Sequence, residues 1–264
     1  MKSPTKIATV LLAMAAFAAC GKGKAEGDQI VTVRGNLLPD ETTPIGQKWR
    51  QLVNAGVAIG EATAAVQNVP SYAAQYQQFI NGVIVFTNDH GAVYLTQAIF
   101  NKWQSLTGMT DAGGTVVYNI VGVPTADYVA VAGREEATFT AGRIVVQAGV
   151  GRIIYGGIYL KYLTMPTVLG APLNEESAGA VAGSRTQAFT GGEVYFYGDP
   201  AGSPVAYAVL AGPILTKFQA RGGIAATGLP LSDTAAIVAA DGVTQRGLVG
   251  RFRNSGIYFN SATG

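Results

Sequence analysis

The chain has 264 residues, of which 48% are hydrophobic, 13% are charged and 35 are glycine. This length is ample for a sizeable core, and the glycine content is typical of a turn-rich fold. Residues 20–264 carry 16 basic and 16 acidic side chains, so their formal net charge is zero. A chain without excess positive charge has no field to hold a polyanion, which excludes nucleic acid as a partner by bulk charge.

The first 20 residues have the pattern of a bacterial export signal. Lys2 and Lys6 precede an apolar run over residues 7–19, which is too short to span a bilayer that needs about 20 residues. Phe17-Ala18-Ala19-Cys20 resembles a lipobox, in which a peptidase cuts before the cysteine and the thiol carries diacylglycerol. We therefore expect a lipoprotein signal peptide over residues 1–19 and lipidation at Cys20. The alternative is an ordinary secretory signal in which Cys20, the only cysteine, stays unmodified.

Residues 20–36 begin with a polar, glycine-rich stretch, and that composition predicts a flexible tether. The residue after Cys20 is Gly21 rather than Asp, which by resemblance to enteric lipoproteins favours the outer membrane. We expect the chain to contact a membrane through its lipid anchor only, on the exported side, at the outer membrane or the cell surface.

Three landmarks recur in the same order along the rest of the chain. The first is Phe-x-x-Gly-x-Ile/Val, at residues 79–84, 139–144 and 189–194, with a shifted copy at 252–258. The second is apolar-x-x-Lys-aromatic, which ends at Trp49, Trp103, Tyr162 and Phe218. The third is Gly-x-Pro, at residues 122–124, 170–172 and 228–230, with a degenerate copy at 60–62. Ordered copies at near-constant spacing predict a repeat protein.

Each landmark predicts a local structure. Gly191 and Gly192 separate two short β-prone runs, as in a β-hairpin. Ile214 and Phe218 lie four residues apart on one helical face, and Gly222-Gly223 stops that helix after about two turns. Gly-x-Pro is a rigid turn, because proline fixes its own φ. We therefore predict an α+β repeat fold with about four units, each too small to be stable without stacked neighbours.

These residues resemble the LGFP repeat family over residues 37–264. The best copy is the third, in which Tyr195, Lys217, Phe218, Gly228 and Pro230 fall in place. The family's tetrapeptide has phenylalanine where this chain has Val123, Ala171 or Leu229, all at an apolar turn position. The resemblance implies attachment to cell-wall polysaccharide or peptidoglycan, often as an anchor for a fused enzyme.

The two ends of the repeat region complement each other in sequence. Residues 252–264 supply the opening hairpin of a unit, and the segment from Leu37 supplies its helix, which ends at Trp49. We therefore predict that the ends share one unit and that four units close into a propeller-like ring. The alternative is a truncated open array.

No catalytic constellation is apparent in the sequence. His90 is the only histidine, and with Asp89 it falls in a predicted turn. Glu135-Glu136 and Glu175-Glu176 are adjacent carboxylates, which we expect to be solvated in polar loops. The chain has no phosphate-binding loop, no cluster of Cys and His, and no calcium-loop spacing. We expect no enzyme activity, no metal site and no cofactor.

Aromatic residues near the hairpin glycines are the candidate binding residues. We expect one of each pair, Tyr195 with Tyr197 and Tyr258 with Phe259, to face outward, where an aromatic ring can stack on a sugar. The same residues can instead pack against the next repeat. The favoured function is a monomeric, non-catalytic envelope module that binds a wall or surface glycan. A protein-interaction scaffold is the alternative, and a hydrolase is the least favoured.

Overall fold

Four antiparallel β-sheets, each followed or preceded by a short helix, make up most of the structure. The computed structural model describes residues 38–69, 72–106, 109–110, 116–117, 120–198 and 202–263. For residues 109–110 and 116–117 it describes only the backbone. These residues belong to one compact unit that spans Asn36–Gly264. The predicted signal peptide (1–19), the tether (20–36) and Cys20 lie outside the described residues.

The elements follow one another along the chain in a regular order. Helix α1 is Pro44–Asn54, and sheet 1 contains β1 Gln67–Asn68, β2 Ala74–Phe79, β3 Gly82–Thr87 and β4 Gly91–Leu95. Helix α2 is Gln97–Ser105, β5 Met109–Thr110 pairs with β6 Val116–Val117, and sheet 2 contains β7 Val129–Val131, β8 Arg134–Phe139, β9 Gly142–Gln147 and β10 Val150–Tyr155. Helices α3 Gly156–Thr164 and α4 Pro166–Leu169 precede sheet 3, with β11 Ser177–Ala178, β12 Arg185–Phe189, β13 Gly192–Gly198 and β14 Pro204–Leu210. Helices α5 Pro213–Ala220 and α6 Gly223–Thr227 precede sheet 4, with β15 Ala235–Val238, β16 Gln245–Phe252 and β17 Ser255–Asn260.

The first landmark forms a hairpin in each of the four sheets, as predicted. Its phenylalanine ends one strand and its glycine, or Ser255 in sheet 4, begins the next, with the pairs Phe79 to Gly82, Phe139 to Gly142, Phe189 to Gly192 and Phe252 to Ser255. Only two residues separate each pair, which is the shortest common hairpin loop. The four sheets therefore share one register, and their positions can be matched from these pairs.

The Gly-x-Pro turns tie each sheet to the chain segment that leads into it. Gly122 has a φ of 82°, a left-handed conformation that glycine adopts without strain. Two residues later Pro124 forms a β-bridge with Phe139, the phenylalanine of the hairpin. The carbonyl oxygen of Gly122 also accepts a hydrogen bond of 2.8 Å from the Trp103 indole N–H. The turn therefore links a helix aromatic to the next hairpin.

The helices act as spacers between sheets. The α2 aromatic Trp103 shares a core cluster with Val85 of sheet 1 and Ile144 of sheet 2. Helix α3 likewise packs on sheets 2 and 3, and α5 packs on sheets 3 and 4. The helix aromatics Trp49, Trp103, Tyr162 and Phe218 are all buried. Helices α2, α3 and α5 therefore each bury apolar surface from two neighbouring sheets, which is the main source of stability in stacked repeats.

The lysine of the helix landmark forms a clasp with a carboxylate. Lys161 Nζ lies 2.5 Å from Asp233 Oδ2, and the other oxygen of Asp233 accepts the backbone N–H of Ala208 on β14 at 2.8 Å. The same arrangement occurs twice more. Lys48 pairs with Asp127, which also accepts the Tyr94 N–H. Lys102 pairs with Glu175, which also accepts the Ile153 N–H. Each carboxylate lies in the segment that leads into the next sheet. One clasp therefore connects a helix, the sheet that follows that helix, and the segment that leads into the next sheet.

The predicted α+β class and the closed ring are both wrong. The fold is β-rich, since the longest of the described helices has 11 residues and the helices only separate the sheets. Ile45 and Trp49 share a core cluster with Phe79 of sheet 1, whereas Phe252 and Ile257 belong to the cluster around α5. The two ends therefore do not build a common unit. Complementary sequence at the ends does not by itself bring them together, because each end packs on its chain neighbour.

Candidate functional site

In sheets 1 to 3, one set of positions faces the helix that follows the sheet. In sheet 3 these are Thr186 and Ala188 on β12 and, opposite them, Tyr195 and Glu193 on β13. The matching residues are Tyr76, Gln78, Val85 and Val83 in sheet 1 and Glu136, Thr138, Val145 and Arg143 in sheet 2. Their counterparts in sheet 4 are Val249, Arg251, Tyr258 and Gly256. The space between sheet and helix depends on which residues stand at these positions.

Sheets 1 and 2 fill this space with their own side chains. In sheet 1 the ring of Tyr76 lies 4.9 Å from that of Phe100 on α2, and Val83 and Val85 are fully buried. In sheet 2 the Glu136 carboxylate is buried and pairs with Arg134 at 2.5 Å and Arg143 at 2.8 Å. The guanidinium carbon of Arg143 lies 5.6 Å from the ring centroid of Tyr162 on α3. One interface is thus closed by aromatic packing and the other by an ion pair on an aromatic ring.

Sheet 3 leaves the same space open. A cleft of about 380 Å³ lies between sheet 3 and helices α5 and α6. The small Thr186 stands at the position that Tyr76 holds in sheet 1 and Glu136 holds in sheet 2. Glu193 stands at the position of Val83 in sheet 1 and Arg143 in sheet 2. The cleft is lined by Thr186, Glu193, Tyr195, Phe218, Gln219 and Ile224, among others. A volume near the lower end of ligand pockets, which run from about 300 to 1,000 Å³, suits a small polar ligand.

Hydrogen bonds fix the polar groups of the cleft. The Tyr195 hydroxyl donates to one oxygen of Glu193, and the Gln219 amide donates to the other at 2.6 Å. Burial raises the pKa of the Tyr195 hydroxyl far above its ordinary value near 10, and the hydrogen bond to Glu193 raises it further. The Tyr195 hydroxyl therefore keeps its proton at neutral pH and orients the carboxylate, and each carboxylate oxygen can accept a further hydrogen bond.

The four predicted aromatics lie in different surroundings. Tyr195 and Tyr197 are both buried, because residues two apart in a strand share a face. The Tyr197 hydroxyl donates to the carbonyl oxygen of Pro230, while the Tyr195 ring packs edge-on against Phe218, 5.7 Å away. Tyr258 is 72% exposed, and its neighbour Phe259 packs partly against the α5 cluster. The structure thus brings only Tyr195 into the cleft.

A second cavity, of about 430 Å³, is a weaker candidate. It lies at the β7–β8 hairpin and is lined by Ala98, Arg134, Glu135 and neighbouring small residues. Its charged side chains already have partners, since Arg134 pairs with Glu136 and Glu135 accepts the Thr96 hydroxyl at 2.6 Å. These groups would have to give up their partners before they could bind a ligand.

Of the residues weighed for catalysis, only Glu135 lines one of these two cavities. His90 is exposed in the turn between β3 and β4, and its backbone N–H donates to the Thr87 hydroxyl at 3.1 Å. The prediction of solvated glutamate pairs is wrong for Glu136, which is buried in its strand, and Glu176, which pairs with Arg185 at 2.6 Å. Within the described ranges, no three His, Cys, Asp or Glu side chains are grouped so that they could hold a metal ion.

Sequence reasoning missed Thr186, Glu193 and Gln219. The signal was available in the repeat alignment, because the residue after the hairpin glycine is Val83 in unit 1, Arg143 in unit 2 and Glu193 in unit 3. A position that changes from apolar to cationic to anionic marks the interface where the units differ.

The fold and this cleft define a β-rich repeat protein with one open interface between repeats. Residues 59–111 and 169–225 match the LGFP repeat. The chain therefore contains LGFP repeats in these two segments, and the repeat indicates a cell-envelope-associated module. No curated protein matches the chain. None of the described helices is long and apolar enough to cross a membrane.

Proposed function

We propose that this protein is a non-catalytic envelope module that binds a wall or surface saccharide in the cleft between sheet 3 and α5. The observation that carries the proposal is the open interface itself. Two equivalent interfaces are filled by Tyr76 and by the Glu136–Arg143 pair, whereas the third presents Thr186 and Glu193 to solvent-accessible space.

The chemistry of the cleft suits a sugar. Sugar hydroxyls bind carboxylates and amides, and Glu193 and Gln219 supply these groups side by side. The buried aromatic residues Tyr195 and Phe218 pack against each other and form the apolar wall of the same cleft, as in most ligand pockets. Hydrogen bonds within the site already orient the carboxylate, so binding requires little ordering of side chains.

Export and anchoring complete the proposal. A signal peptide over residues 1–19 and a lipid on Cys20 would tether the repeat domain to the exported side of a bacterial membrane, at the outer membrane or cell surface. The tether would then hold the cleft within reach of envelope polysaccharide.

A second candidate function is a protein-interaction scaffold, and one observation favours it. Lys217 is exposed and forms no ion pair with any described carboxylate, although its counterparts Lys48, Lys102 and Lys161 all do. Tyr258, on sheet 4, is also exposed. A partner with an acidic side chain would complete the fourth clasp.

Co-sedimentation with purified cell wall tests the proposed function. Thr186→Tyr places the sheet 1 residue in the cleft and should abolish binding by filling it. Gln75→Tyr, at an exposed position of β2, is the matched control and should bind like the unmodified protein. Equal sedimentation of both variants would contradict the proposal, and loss of binding on changing Lys217 instead would favour the scaffold.

A further inference from the structure

We propose that the cleft is selective for a saccharide that carries a free primary amine, and that Glu193 binds the ammonium group. This inference rests on the proposed function and names the class of its ligand. It follows from the charge of the cleft and from what occupies the equivalent space in sheet 2.

The carboxylate of Glu193 lacks a cation. Glu193 forms no ion pair with any Lys or Arg in the described part of the chain. Its hydrogen bonds come from two neutral donors, Tyr195 and Gln219. Five other carboxylates that lie between repeats are each paired with a Lys or Arg, namely Asp127, Glu136, Glu175, Glu176 and Asp233. Glu193 is therefore an inter-repeat carboxylate whose charge no Lys or Arg compensates among the described residues.

Sheet 2 shows which group fits this space. There the cation of Arg143 lies between the Glu136 carboxylate and the face of Tyr162. The sheet 3 cleft keeps the aromatic residue, since Phe218 stands where Tyr162 does, and keeps a carboxylate, which now comes from the neighbouring strand. What it lacks is the cation. The Phe218 ring packs against Tyr195 and Phe252, so the attraction for an ammonium group comes from the charge of the Glu193 carboxylate.

The donor count favours an ammonium group over a metal ion. An ammonium has three N–H donors, and three residues that line the cleft, Glu193, Gln219 and Thr186, carry side-chain oxygens that can accept them. A divalent cation such as calcium needs six or more oxygen ligands, usually with several carboxylates, and the cleft has one carboxylate. The same single negative charge repels uronic acids and phosphorylated sugars. An amino sugar satisfies both the charge and the hydroxyl-binding groups.

Isothermal titration with three tetrasaccharides tests the inference on the purified protein. The probes are a glucosamine tetramer, its fully N-acetylated form and a glucose tetramer, which differ at the amine and are otherwise alike. The glucosamine tetramer should bind about tenfold tighter than the other two, because a charge-assisted hydrogen bond is about twice as strong as a neutral one. Glu193→Gln, which keeps size and an acceptor for Tyr195, should remove that preference, and the control Glu61→Gln should retain it.

A second variant guards against a trivial loss of structure. The double variant Thr186→Glu, Glu193→Arg recreates the ion pair of sheet 2. Its thermal midpoint should therefore stay unchanged, but it should no longer bind the glucosamine tetramer. Equal binding of all three tetramers, or an amine preference that survives Glu193→Gln, would overturn the inference and leave the proposed function standing. If none of the tetramers binds and cell wall does not co-sediment either, both proposals fail.

Discussion

The clasp between Lys161 and Asp233 should contribute measurably to the stability of the stack. Replacement of Asp233 by alanine removes an ion pair of 2.5 Å and an acceptor that lies 2.8 Å from the Ala208 N–H. Hydrogen bonds to charged groups contribute about 1.5–3 kcal/mol each. The Asp233 side chain is 32% exposed and the Lys161 side chain only 12%, so solvent screens the pair in part. We expect a loss of about 2 kcal/mol in the free energy of unfolding.

Urea denaturation followed by circular dichroism measures this loss. With an m value of about 3 kcal/mol/M, the midpoint should fall by roughly 0.7 M. A double-mutant cycle with Lys161→Met should give a coupling energy of about 1 kcal/mol, because the two side chains contact each other directly. Lys217→Met is the matched control, since this lysine is exposed and has no carboxylate partner in the described structure, and it should change stability by less than about 0.5 kcal/mol. An Asp233→Ala effect as small as that of the control would refute the role of the clasps.

Three further predictions concern the turns, the cleft and the N-terminus. Gly122→Ala should lower the thermal midpoint more than Gly91→Ala. Both glycines have positive φ, but a new Cβ would meet another atom only at Gly122, where Thr140 Oγ1 lies at 1.9 Å. Equal thermal midpoints of the two variants would contradict this. Since the pKa of Tyr195 is raised in the folded state, the unfolded chain releases its proton first, so stability should fall as the pH rises above about 10. Tyr195→Phe should weaken that fall, as measured by urea denaturation between pH 8 and 11, and an unchanged slope would argue against the shift. Mass spectrometry of the membrane-extracted protein should find an N-terminus at Cys20 with a diacylglyceryl adduct, and an intact residue 1–19 segment would exclude lipidation.

The sequence was most informative where structure is decided locally. The β2–β3, β8–β9 and β12–β13 hairpins follow from Phe-x-x-Gly, because a two-residue loop and the strand pattern around it depend on neighbouring residues alone. Helix α5 ends at Ala220, just before Gly222-Gly223, as the glycines predict. Burial of Trp103 and Phe218 follows from their recurrence at one helical position. The LGFP match rests on these same local features.

The arrangement of the units could not be obtained in this way. Ring closure depends on contacts between α1 and β17, which are distant in sequence, and no periodicity reports whether such surfaces meet. The fold class was misjudged because a helix landmark reveals that a helix exists, not that it only fills the space between two sheets. The cleft depends on the side-chain volumes of Thr186 and Glu193 relative to Tyr76 and Arg143, a comparison across units rather than along the chain.

Amide and side-chain chemical shifts of the protein during titration with a soluble wall saccharide test the central claim most directly. The account predicts saturable shifts that concentrate at Thr186, Glu193 and Gln219, and that disappear in Thr186→Tyr. Shifts that concentrate instead around Tyr258 and Lys217, or no shifts with a saccharide that co-sedimentation shows to bind, would contradict the assignment of the cleft as the binding site.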